Sequence, residues 1–123
     1  MAEQTAEKVQ LTLAQRVAAN RLLEADLKKA GLGAETWVVP SGPTPGTQVN
    51  VFDPESGVQF ARITVGRAGF IQIRDYVEGT EPALMEKITE ATGAKVNQFS
   101  KAQKEPYATG GGVRFDLNRL AKG

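Results

Sequence analysis

The chain has 123 residues, 41% of them hydrophobic, with 15 Lys and Arg against 14 Asp and Glu. A length of this order fits one domain that buries roughly two-thirds of its unfolded surface, and a formal charge of +1 supplies no bulk attraction to nucleic acid or an anionic membrane. It contains no His and no Cys, which removes disulfides, thiolate nucleophiles, zinc–thiolate sites and the Ser-His-Asp and Cys-His catalytic arrangements.

An enzyme built from this chain would be left with carboxylate, Lys or Tyr chemistry, or a hard cation held by oxygen. The opening Met-Ala-Glu-Gln-Thr-Ala-Glu-Lys is polar and has no secretory apolar region. No apolar run approaches the ~20 residues that span a bilayer, so a cytoplasmic protein with no membrane partner is expected. Three segments emerge: a polar stretch 1–12, an α+β core 13–99, and a Gly-containing basic stretch 100–123 able to return a strand to the sheet.

Thr12 stands three residues before Gln15, the capping-box spacing in which each side chain satisfies an orphan backbone N–H at a helix start. Leu13 to Ala30 holds neither Gly nor Pro and is rich in good helix formers. Gly31 offers a left-handed C′ residue, and Leu32 is placed to touch Leu27 as in a Schellman ending. At 100° per residue this helix carries two apolar stripes: Leu13, Leu23, Leu27 and Ala30 with Val17 at the margin, and opposite them Ala14, Ala18, Leu22 and Ala25. A helix on a single sheet needs one. The second stripe is either half-exposed small surface or a contact for a partner or second copy of the chain, through Ala18 and Leu22.

Strand signals follow. Glu35–Val39 ends at Pro40, and the three prolines and two glycines of 40–46 exclude that stretch from a ladder. Gln48–Asp53 alternates, Asp53-Pro54-Glu55-Ser56-Gly57 reads as a turn, and Val58–Val65 returns. Gly66-Arg67-Ala68-Gly69 leads into Phe70–Tyr76. Short turns between alternating runs predict an antiparallel meander of about four strands.

Its faces sort by alternation. One is aliphatic: Ala61, Ile63, Val65, Ile71 and Ile73. The other mixes rings and guanidinium groups: Phe60, Arg62, Phe70, Arg74 and Tyr76. Trp37 reads as a core anchor at the sheet edge.

A second helix starts near Thr80-Glu81-Pro82, with Thr80 as candidate N-cap. Leu84, Met85, Ile88 and Ala91 form its apolar stripe, Gly93 ends it, and the stripe suits the Ile71/Ile73 face. Lys95–Phe99 is a candidate short strand, 100–112 a linker, and Val113–Leu117 a strand that rejoins the sheet. The fold class is therefore α+β: a meander packed with a long N-terminal helix and a second helix, plus one or two short C-terminal strands.

Four places could carry function. Residues 95–123 hold six cations, Lys95, Lys101, Lys104, Arg114, Arg119 and Lys122, against Glu105 and Asp116. With Phe99, Tyr107 and Phe115 interleaved, they have the components of a single-stranded nucleic-acid surface. Thr109-Gly110-Gly111-Gly112 lacks both phosphate-loop spacings and reads as a connector. Asp53, Glu55, Asp75, Glu78 and Glu81 crowd the strand ends and the start of the second helix, where a Mg²⁺ or Ca²⁺ site or an acid/base pair would need two of them to converge. The spacing from Asp53 through Glu55 matches no calcium loop, turn chemistry explains Asp53, and the helix dipole explains Glu81. The mixed face either lies under the first helix or is open; if open, Arg62, Phe70, Arg74 and Tyr76 suit a protein interface or RNA bases laid on an open sheet.

The function expected is a small non-enzymatic accessory or inhibitor-like module that binds another protein or a second copy of itself. It has no catalytic residues, cofactor or metal. Nucleic-acid binding through the basic C-terminal segment is the alternative.

Overall fold

The fold is given by a computed structural model that describes residues 10–39, 41–43, 45–77, 79–93 and 113–122, without the side chains of 75, 121 and 122. Helix α1 spans Leu13–Lys29. Its capping box is complete: the Gln15 amide donates to the Thr12 hydroxyl at 3.1 Å and the Thr12 amide to the Gln15 side chain at 2.9 Å. At the other end Gly31 takes φ 95°, its amide donates to the Lys28 carbonyl at 3.0 Å, and the Leu32 amide to Leu27 at 3.1 Å. These are the two bonds of a Schellman motif.

Strands β1 (Gly33–Val39), β2 (Gly46–Phe52), β3 (Gln59–Val65) and β4 (Phe70–Tyr76) form the meander, and β5 (Val113–Arg114) adds an antiparallel fifth strand beside β4. Asp53 organises the β2–β3 turn, accepting the Glu55 amide on its carboxylate at 3.0 Å and the Gly57 amide on its carbonyl at 2.7 Å. β1 begins two residues before Glu35. At its start the Phe52 ring lies over Gly33, in the space a Cβ would take, so the glycine admits the ring of its cross-strand neighbour.

Two register shifts revise the faces expected from alternation. Between β2 and β3, Val51 opposes Ala61 but Phe52 opposes Gln59, leaving Phe60 as an extra residue. Between β3 and β4, Arg62 opposes Asp75 but Ile63 opposes Ile73, leaving Arg74 extra. A bulge reverses the side-chain alternation beyond it. Tyr76 therefore sits opposite Ala61, on the aliphatic side, and packs against the core, while Phe60 is buried instead of joining the mixed face.

α1 lies across β1, β2 and β3 on the aliphatic face, burying Ala19, Leu23 and Leu27 against Val49, Val51, Ile63 and Val65. Full burial of each leucine contributes about 1.5–3 kcal/mol. Helix α2 (Pro82–Thr92) packs against α1 and puts Ile88 into the same core. The two helices thus share one side of the sheet, and α1 does not cover the Arg62 face. The N-cap of α2 is Glu81, because the Thr80 hydroxyl donates to the Val77 carbonyl at 2.6 Å. Gly93 ends α2 at φ 80°.

The returning strand is shorter than alternation suggested. After Arg114 the Phe115 amide donates to Gly69 at 2.8 Å and its ring is buried. Asp116, accepting the Asn118 amide at 3.0 Å, then opens a short helix α3 (Asn118–Lys122) that the sequence reading did not include. The expected strand 95–99 and linker 100–112 lie outside the described residues.

Candidate anion-binding site

The β2–β3 ladder runs from Phe52/Gln59 to Val49/Ile63 and stops there. Past that point side chains take over. Asn20, fully buried on α1, donates to the hydroxyls of Thr47 and Thr64, both at 3.2 Å, and accepts the Val65 amide at 3.0 Å. The Thr64 hydroxyl donates to the Thr47 carbonyl at 3.0 Å, and the Thr47 hydroxyl to the Trp37 carbonyl at 2.8 Å. One helical turn before Asn20, the Arg16 Nε donates to the Val65 carbonyl at 3.1 Å. Asn20 and Arg16 thereby satisfy backbone groups of Val65, and Arg16 is held where the strands part.

A cleft of about 480 Å³ opens at this place, lined by Arg16, Trp37, Val39, Gly46, Thr47, Gln48, Arg62, Thr64 and Arg74. Three elements supply its cations: α1 gives Arg16, β3 gives Arg62, and the bulge in β4 gives Arg74. Arg62 and Arg74 are exposed, and among the described residues neither forms an ion pair or hydrogen bond. No carboxylate lines the cleft among the described residues. The Arg16 guanidinium is held below its ordinary pKa, first by burial and then by repulsion from Arg67 and Arg74. It stays charged at any physiological pH, so positive charge is concentrated here against its own repulsion.

Trp37 is 54% exposed and is the chain's one tryptophan, so it is not the core anchor expected. It stands opposite Gln48 on the sheet face turned from α1. An indole lining the same cleft as guanidinium groups offers a flat apolar surface near donors that match planar or tetrahedral oxyanions.

The other sequence candidates are placed differently. Phe70 carries Arg114 stacked over its ring at 4.5 Å, on the pair that joins β4 to β5. Arg119 makes a two-pronged ion pair with Asp26 of α1, at 2.9 and 3.2 Å, and lies 5.5 Å over the Phe115 ring. The hydrogen bond to Asp26 raises its pKa, against a smaller opposing effect of burial. Lys95, Lys101 and Lys104 lie outside the described residues, as does the side chain of Lys122. Of the second stripe of α1, Leu22 packs on the core, whereas Ala14, Ala18 and Ala25 are exposed, the first two lining an open groove with Leu11, Leu117 and Leu120.

In this cleft the structure brings together the partner-binding candidates Arg62 and Arg74 and adds Arg16 and Trp37; Arg62 also lines a smaller pocket with the candidate Tyr76. Sequence reading missed Arg16. The available signal was its position one turn before Asn20, a polar residue amid the apolar positions of α1. Among the described residues no group of three Asp or Glu side chains converges as a metal site would require, and no helix is long and apolar enough to cross a membrane.

The chain matches no protein-family model, and comparison with curated proteins and with solved structures returns no match.

Proposed function

We propose that the protein is a small non-enzymatic, cytoplasmic binding module, accessory or inhibitor-like, that docks an acidic segment of a partner protein on the sheet face opposite α1. The observation that carries this reading is the convergence of Arg16, Arg62 and Arg74 around the exposed Trp37, in a cleft lined by no described carboxylate. Arg and Trp dominate the energetics of protein interfaces because they join contact area to directed hydrogen bonds. The C-terminal alternative draws less support, since Arg114 and Arg119 are engaged within the chain.

Titration calorimetry with polyglutamate at low and high salt tests the reading. Binding should weaken steeply with salt and disappear in an Arg62→Glu/Arg74→Glu double variant that melts like the parent. Equal binding by parent and variant, or none by the parent, overturns it.

A further inference from the structure

The cleft is more specific than a basic patch. Among the described residues its charged lining groups are Arg16 of α1, Arg62 of β3 and Arg74 of β4, with Arg67 of the β3–β4 turn close enough to act on Arg16. Asp75, whose side chain lies outside the described residues, holds the register position opposite Arg62. A lone carboxylate brings one negative charge to this group. A phosphate monoester brings ≈ 1.5–2 charges and three strong acceptor oxygens, the match for several guanidinium forks supplied by different elements. A nucleic-acid strand needs a cationic track along its backbone. Next to the cleft, however, the row that contains Arg62 continues across the sheet through Asn50 to Glu35.

We propose that this cleft is a phosphomonoester site, in which Arg16, Arg62 and Arg74 hold the phosphoryl group of a phosphorylated partner peptide while Trp37 packs beside the residue that bears it. The proposal rests on the reading of the open face as a protein-docking surface and names the group docked there.

Trp37 makes binding directly visible, because intrinsic tryptophan fluorescence from this chain has a single source. The probes are a phosphotyrosine peptide, its unphosphorylated twin, the same peptide with Glu at that position, and a single-stranded oligonucleotide. Arginine does not titrate below pH ~12 and the chain has no His or Cys, so the lining groups keep their charge through neutral pH. The second ionisation of a phosphate monoester, near pH ~6, is therefore the event that governs affinity. Between about pH 5 and about pH 7.5 the phosphopeptide should bind up to about tenfold more tightly, while Glu peptide and phosphodiester stay level.

The Arg62→Ala/Arg74→Ala variant should lose the fluorescence response while melting normally, because both side chains are exposed. A level pH profile with Glu and phosphotyrosine peptides binding alike overturns the phosphate assignment and leaves the acidic-partner reading standing. Tighter binding of the oligonucleotide than of the phosphopeptide overturns both, as does the absence of a response to every probe.

Discussion

At the scale of single residues, Asn20 does more for the fold than its neighbours on α1 suggest. It is fully buried, and its carboxamide serves two threonine hydroxyls and the Val65 amide where the β2–β3 ladder has ended. A buried donor left without a partner costs about 1–3 kcal/mol, more than the bond contributes when made. Asn20→Leu keeps a side chain of similar length but removes every polar partner. It should lower the unfolding free energy by that amount, seen as a lower urea midpoint at unchanged slope, and an unchanged midpoint would show that water or rearranged threonines satisfy Val65. Because Arg16 binds the carbonyl of the same Val65, the cleft and this polar seam depend on each other.

At the scale of elements, β1 is an edge strand, and edges invite pairing with other chains. Here α1 guards it. The Glu24 carboxylate accepts both the Thr36 amide at 2.9 Å and the Thr36 hydroxyl at 2.6 Å, and pairs with Lys28 at 3.0 Å. Burial acts on Glu24 most strongly and would raise its pKa, but the hydrogen bonds from Thr36 and Lys28 together outweigh it and hold the carboxyl below its ordinary value. A carboxyl depressed in the folded state stabilises it fully above the unfolded value of about 4.3, and that contribution is lost as pH falls through the lower folded value. Urea midpoints of parent and Glu24→Gln, compared from about pH 5 downward, should show a smaller acid-induced loss in the variant. Parallel curves would mean the contact is not maintained in solution.

At the scale of the whole molecule, the C-terminal stretch belongs to the domain. β5 extends the sheet, Phe115 is buried, and the Asp26–Arg119 pair ties α3 to α1. Phe115→Ala should cost about 3–5 kcal/mol, the range for removing a buried aromatic side chain, seen as a large drop in denaturation midpoint. A loss within the range of a surface substitution would show that residues 113–122 pack only loosely. The same organisation leaves the two helices on one side of the sheet and the Arg62 face open, and the proposed docking surface requires that asymmetry.

The α+β class, the order of the elements, the capping box of Thr12 and Gln15, the Schellman ending at Gly31 and the Asp53 turn were all readable from the chain. Each depends on residues a few positions apart, whose backbone geometry is set locally. Even there Thr80 does not provide the cap expected of it, and α3 is hidden because Asp116 lies within a run, Val113–Leu117, that alternates like a strand. Tertiary structure alone decided which face the residues of β4 beyond Ile73 present, since the bulge at Arg74 is a property of pairing with β3 and not of either strand by itself. It alone carried Arg16 beside Arg62 and Arg74, residues far apart in the chain. Local periodicity contains no information about cross-strand register, and register determines which distant charges share a cleft.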